Sequence, residues 1–322
     1  MRAPEDQTPG SPGTTDRRGL AAGFGAYLLW GFLPLYFPLL EPAGPVEIIA
    51  HRVVWSLLFC LVLLRVTGSW GAFVSALRDR RMLGTLAVAG VLVAVNWLVF
   101  VLGVLTGHTV DTALGYYINP LVTVALAVAL LGERLRRAQW VALAIGAAAV
   151  VVITVGVGRL PWIALALAGT FGLYGLLKNR VGRTVPAVAS LAVETTVLAP
   201  VAGAYLVWLG VTGAAAFGTA GGGHVALLVG SGVITAVPLL LFGSAARRLP
   251  LSVVGMLQYV APTLQFLVGV VVFGEEMPPA RWAGFTLVWL ALVVLTVDGV
   301  RATRTSWRAA RGRGAARVSP RP

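Results

Sequence analysis

The stretch "YINPLVTVALAVALLGERLRRAQW", Tyr117 to Trp140, has a counterpart later in the same chain, "YVAPTLQFLVGVVVFGEEMPPARW", Tyr259 to Trp282. The two align without a gap at a separation of 142 positions: Tyr117 meets Tyr259, Pro120 meets Pro262, Gly132-Glu133 meets Gly274-Glu275, and Trp140 meets Trp282. Upstream at the same separation, Gly90, Ala94, Leu98 and Phe100 meet Gly232, Ala236, Leu240 and Phe242. Matches among Ala, Val and Leu arise easily by accident, but Pro, Gly-Glu and Trp at one spacing do not. "FGAY" from Phe24 resembles "FGLY" from Phe171 at a separation of 147, as a loop five residues longer in the first half produces. The chain reads as two related halves, 20–157 and 158–299.

What the repeated unit is made of follows from composition. Of the 322 residues, 58% are hydrophobic and 11% charged, where an average soluble domain carries roughly a quarter charged residues. The mean hydropathy is +0.86. Apolar runs of about 20 residues recur, each long enough to cross a hydrocarbon core of ~30 Å. They predict an all-α integral membrane protein with ten transmembrane helices, at about 20–40, 46–66, 82–106, 109–131, 138–157, 160–178, 186–209, 224–246, 250–273 and 280–299. Each half then holds five helices, and five is odd, so the second half enters the bilayer from the opposite side. Inverted-topology repeats of this kind are a transporter architecture, with a mid-membrane site between the halves.

Basic residues test the count independently of hydropathy. With the N-terminus cytoplasmic, the cytoplasmic segments hold 22 of the 25 Lys and Arg residues, among them Arg17, Arg18, Arg78, Arg80, Arg81, Arg134, Arg136, Arg137, Lys178, Arg183, Arg248 and seven arginines after Asp298. Only Arg159 and Arg281 fall on the other side. A miscounted helix in mid-chain would have destroyed that bias, so both termini are expected to be cytoplasmic. The formal charge of +13 lies between the oily runs rather than on one face, which argues against a nucleic-acid footprint. Residues 1–19 and 300–322 read as polar, disordered cytoplasmic tails. Cys60 is the sole cysteine, so no intramolecular disulfide is available, and the three scattered histidines do not make a metal site. Nothing calls for a cofactor, and no GxxxxGK[ST] loop is present to bind ATP.

Polar residues inside the runs are the candidate site. Thr112, Tyr116, Asn119 and Thr123 fall along one stripe of the fourth helix, and Gln258 and Gln265 occupy the repeat positions of Tyr116 and Thr123 on the ninth. Facing stripes would line a cavity; the alternative is interhelical hydrogen bonding between packed spans. Asn96, in the third helix, admits the same two readings. Pro120 and Pro262 would kink their helices at symmetric places. Gly169, Gly172 and Gly175 mark a bare helix face suited to close packing, and Glu133 and Glu275 read as interface anchors. Arg52 stands six residues after Val46, roughly 9 Å into the span, where a charge costs ~2.5–3.5 kcal/mol on the insertion scale. It can snorkel to the headgroups, pair with Glu194 at its own repeat position, or face the cavity and meet an anionic or zwitterionic substrate.

The motifs "AHRVVWS", "NWLVF", "LGYYINPL", "TFGLYGLL", "TAVPLLLF", "LPLSVVGMLQYVAPTLQF" and the Gly-Glu pair closing both repeats resemble the RarD branch of the EamA family, in the drug/metabolite transporter superfamily. The resemblance runs from about Gly19 to Asp298. It implies ten helices in two EamA repeats and a permease of the bacterial inner (plasma) membrane, and it supplies no agreed catalytic residues. One departure is Ala113, where members often carry Ser before "LGY". The expected function is secondary transport of a small metabolite or drug by alternating access, with a proton as one candidate coupling ion. A channel or sensor is the alternative, and a membrane-embedded enzyme, lacking clustered acids and histidines, is the weaker one.

Overall fold

A computed structural model describes residues 16–132, 134–181, 184–249 and 251–318. Most of the expected N-terminal tail, the last four residues of the C-terminal one, Glu133 and Arg183 lie outside the described residues. The helices are α1 (Arg17–Tyr36), α2 (Pro45–Val66), α3 (Trp70–Arg78), α4 (Arg80–Leu105), α5 (Thr109–Leu131), α6 (Arg137–Val157), α7 (Trp162–Val181), α8 (Ala187–Thr212), α9 (Gly222–Arg248), α10 (Leu251–Leu257), α11 (Val260–Leu267) and α12 (Pro279–Val318). A 3-10 turn, Phe37–Leu40, extends α1, and a π-helical turn, Val268–Val272, extends α11.

Among the described residues, nine helical segments are long and apolar enough to cross a membrane, and Trp162–Lys178 of α7 is a shorter apolar one. At 1.5 Å per residue its 17 residues cover about 25 Å, the low end of a spanning length. The protein is thus an all-helical membrane protein. α3 was not expected. It forms in the first long loop because Trp70, Phe73, Val74 and Leu77 recur at helical spacing, and this stripe packs with Leu86, Leu191 and Val193.

Capping accounts for several helix ends. Asp16 accepts from the amides of Arg18 and Gly19 at 2.9 and 3.4 Å and starts α1; Asp79 accepts from Arg81 and Met82 at 2.9 and 3.1 Å and starts α4. Gly158 and Gly213, at φ 76° and 71°, end α6 and α8 in the left-handed conformation that a side chain would strain. The Arg248 side chain also bonds Asp16, at 3.2 Å, and with the Arg18 amide holds this exposed carboxyl below its ordinary value. What that tie contributes is present above the ordinary carboxylate range and disappears as pH falls through the lowered pKa.

The dominant packings pair α6 with α12, α5 with α7, α2 with α8 and α9, α1 with α9 and α11, and α4 with α7 and α8. Small residues set the closest of them. A Cβ added at Gly232 of α9 would sit 2.4 Å from the Trp55 carbonyl carbon of α2, and one at Gly284 of α12 would sit 2.2 Å from Ile153 of α6. Of the bare face expected on α7, only Gly172 makes such a contact, 3.1 Å from Leu126; nothing lies within 4 Å of a Cβ at Gly169 or Gly175. The hydrogen-bonded helix of α5 passes through Pro120, whereas α10 and α11 are separated at Gln258–Tyr259, one turn before Pro262, where the proline ring meets the preceding turn. Because backbone, not a flexible side chain, opposes a side chain at Gly232, Gly232→Leu is expected to cost several kcal/mol, above the ~1–3 of ordinary overpacking. Gly203→Leu, which faces open space, is expected to be near neutral. Thermal unfolding of both variants in detergent, followed by intrinsic fluorescence, checks this.

Candidate functional site

Arg52 sits two turns into α2 because Pro45 starts that helix. It is 4% exposed, and its guanidinium turns into the bundle. Nε donates to Thr235 Oγ1 of α9 at 3.1 Å, and the guanidinium carbon stands 4.6 Å from the Trp97 ring and 5.4 Å from that of Phe37. Nη1 is buried without a hydrogen-bond partner. Trp97 and Phe37 come from α4 and the 3-10 turn, so this one side chain meets three elements besides its own.

Glu194, 0% exposed, lies on α8 in a separate cluster. Oε1 accepts from Lys178 Nζ at 2.6 Å and from Ser190 Oγ at 3.0 Å, while Oε2 accepts from Tyr174 OH at 3.3 Å. Lys178 also donates to Ser190. The direct pair of Arg52 with Glu194 that the repeat positions allowed does not form here, since both carboxylate oxygens have nearer partners. Lys178, read from the sequence as a loop cation, is the residue that reasoning missed; the signal was absent because the pairing joins two helices, α7 and α8.

The α5 stripe divides by partner. Thr112 donates to its own helix at the Thr109 carbonyl, 2.7 Å. Tyr116 donates to Asn96 Oδ1 at 3.0 Å, and Asn96 Nδ2 donates to the Leu167 carbonyl at 3.1 Å and to Thr170 Oγ1 at 3.0 Å. Asn96 is thereby satisfied on both sides and ties α4 and α5 to α7. Asn119 Oδ1 is buried and has no partner. Thr123 lines a pocket of about 370 Å³ together with Ala127, Arg134, Arg136 and Gln139. Gln265, on α11, donates to the Trp30 carbonyl of α1 at 3.1 Å, leaving Oε1 buried and unpaired. Gln258 lies in the turn before α11. The structure therefore joins the α5 stripe to α4 and α7 and Gln265 to α1, rather than bonding the two stripes to each other.

At the helix ends opposite this pocket, polar groups bridge distant parts of the chain. The Glu275 carboxylate accepts from the backbone amides of Thr109 and Val110, the latter at 2.9 Å, at the N-terminus of α5, where a negative charge is favoured. Asp111 lies 3.5 Å from both Arg159 and Arg281. Glu47 accepts from the amides of Ala216 and Phe217 at 2.8 and 3.3 Å, and His224 Nε2 meets the Leu40 carbonyl at 2.8 Å. His51 stacks on Phe217 at 4.8 Å. Among the described residues no group of His, Cys, Asp or Glu side chains is placed to hold a metal ion.

Membrane-length helices enclosing buried, hydrogen-bonded charges define a multi-pass α-helical membrane protein. The model of the EamA-like transporter family matches residues 17–155. The chain is 50% identical over 290 residues to protein RarD of Streptomyces exfoliatus, covering 90% of this chain and 91% of that one. It is 37% identical over 288 residues to protein RarD of Escherichia coli, covering 89% and 97%, and 40% identical over 284 residues to the uncharacterized transporter YojE of Bacillus subtilis, covering 87% and 94%. A solved crystal structure, 22% identical, matches with a TM-score of 0.57 over 87% of this chain and 97% of that one, a likeness of fold alone. The chain belongs to the EamA transporter family, with RarD proteins among its relatives; these relatives are transporter-family proteins, not enzymes.

Truncating one partner of a buried ion pair leaves the other uncompensated, typically at about 3–5 kcal/mol. Lys178→Met is accordingly expected to lower the unfolding temperature more than Glu194→Gln does. The double variant is expected to recover part of the loss, measured as a coupling energy in a thermal double-mutant cycle.

Proposed function

We infer that the chain is a secondary transporter that moves a small molecule by alternating access across the bacterial inner membrane. The working units are two inverted five-helix halves, 20–157 and 158–299, and both termini are cytoplasmic. The single observation that carries the reading is the packing pattern. Exchanging the halves turns the contact of α1 with α9 into that of α7 with α4, and the contact of α5 with α7 into that of α11 with α1. It turns α2 with α9 into α8 with α4, and it leaves α2 with α8 and α6 with α12 unchanged. Each image is itself one of the observed packings. Two halves related by a pseudo-two-fold axis in the membrane plane would produce that set.

The substrate site of this reading lies between the halves, at Arg52, Asn96, Tyr116, Asn119 and Thr123 with Gln258 and Gln265, and with Glu194 on the second half. Pro120 and Pro262 serve as the bending points. The bridges made by Glu275, Asp111, Glu47 and His224 each join one half to the other, on the face expected to be periplasmic. The pocket at Thr123 and Arg134 is on the opposite face. Closed bridges on one face and a recess on the other support an inward-facing state.

A thermal-shift screen of metabolites and antibiotics against the purified protein, followed by counterflow in proteoliposomes, tests the reading. The expected result is saturable uptake accelerated by unlabelled substrate on the far side and by an imposed proton gradient. Non-saturating flux without trans-acceleration would mark a channel. Orientation has its own measurement. A green fluorescent protein fused after Pro322 is expected to fluoresce, and an alkaline phosphatase fused there to stay inactive; the reverse pattern refutes cytoplasmic termini.

A further inference from the structure

The buried charged groups are few, and nearly all meet a compensating partner. Glu194 has Lys178, Asp111 has Arg159 and Arg281, and Glu47 has two backbone amides. Arg52 is different. None of the ion pairs among the described residues includes it. Its hydrogen-bonded neighbour, Thr235, donates its own hydroxyl proton to the Ser231 carbonyl at 2.8 Å, so that residue is saturated and supplies no charge. The rings of Trp97 and Phe37 offset only part of the cost of removing a guanidinium from water. Nη1 is left buried and unbonded, and an exposed-side escape is closed to a side chain turned into the bundle.

We propose that the missing counter-charge is the transported molecule itself: a small organic anion, a carboxylate on an apolar or aromatic body. The proposal rests on the transporter reading above and names its substrate class. A guanidinium offers a carboxylate forked, charge-assisted N–H donors, of which Nη1 is unused. The surrounding wall is aromatic: Phe37 stacks edge-on to Phe100 at 5.8 Å, and Phe100 to Tyr116 at 5.6 Å. Among the described residues no carboxylate lies within ion-pair distance of Arg52, so no acid beside it stands by to hold an ammonium. That composition selects a simple carboxylate over an amino acid or an amine.

A path to Arg52 is laid out by the same residues. From Tyr116 the α5 stripe runs on to Asn119, with its unpaired Oδ1, and to Thr123, which borders the pocket of about 370 Å³, within the range of small-molecule sites. Of the two arginines lining that pocket, Arg136 is taken by Asp298 at 2.6 Å. Among the described residues Arg134 is in no ion pair, so the mouth of the route carries a positive charge that raises the local concentration of anions.

The test uses the full chain in detergent and four probes of one skeleton: phenylacetate, phenylacetamide, phenethylamine and phenylalanine. Binding is read by thermal shift and by titration calorimetry. Phenylacetate is expected to bind at least tenfold more tightly than the amide. The preference is expected to vanish in Arg52→Gln and to survive in part in Arg52→Lys. Equal binding of acid and amide, tighter binding of the amine, no binding of phenylacetate, or a preference that persists in Arg52→Gln each overturns the assignment. Where Arg52→Gln does not fold, the ranking of the four probes on the native protein decides. Counterflow then separates this idea from the one beneath it. Saturable exchange of the neutral or cationic probe removes the anion and keeps the transporter, whereas bound probes that never exchange remove the transporter.

Discussion

Hydrocarbon offers no hydrogen bonds, so every polar group that a membrane helix carries must find its partner inside the protein. That constraint organises this molecule. Asn96 is answered by a hydroxyl, a carbonyl and a phenol from two other helices, and Glu194 by an ammonium, a hydroxyl and a phenol. The first cluster joins α4 and α5 to α7, and the second joins the consecutive helices α7 and α8, so each specifies which helices lie side by side. Apolar packing alone would not do this, because lipid tails solvate leucine as well as another leucine does. The buried polar atoms left unanswered among the described residues include those of Arg52, Asn119 and Gln265, three of the positions that the sequence marks as cavity candidates.

Small residues complete the specification by allowing backbones to approach. Gly232 brings α9 against the backbone of α2, and Gly90, its repeat counterpart, brings α4 against α8 at the Glu194 carbonyl, 3.2 Å from a would-be Cβ. The two glycines matched in the sequence thus make matched contacts in space, α9 with α2 and α4 with α8. Larger side chains line the remaining interfaces, as where Tyr117 and Phe266 meet Phe285 and Trp289 at 4.9–6.3 Å.

Much of this was legible in the residues. The apolar runs located the nine membrane-length segments among the described residues and the shorter α7, because a span must reach a set length whatever it packs against, but not the break that divides the expected helix 250–273. The family followed from motifs whose spacing is rigid. Side-chain partners were not legible. Tyr116 and Asn119 share a stripe with Thr123, yet one is bonded, one is orphaned and one borders a pocket, and only the neighbours decide which. Lys178 was counted with the loop cations by its place near a helix end; its charge serves Glu194 instead. α3 was passed over because nine residues are too few to register as a span, although the Trp70, Phe73 and Leu77 spacing was there to read.

The stretch around Pro120 and the stretch around Pro262 carry related patterns of residues and adopt two shapes, one a continuous helix, the other parted at Gln258–Tyr259 and widened to a π turn at Val268–Val272. A single molecule therefore displays two solutions to a related local problem. Under the inverted-repeat reading proposed above, halves that exchanged these shapes would return the starting molecule turned over, with the same kinds of bonds in exchanged places.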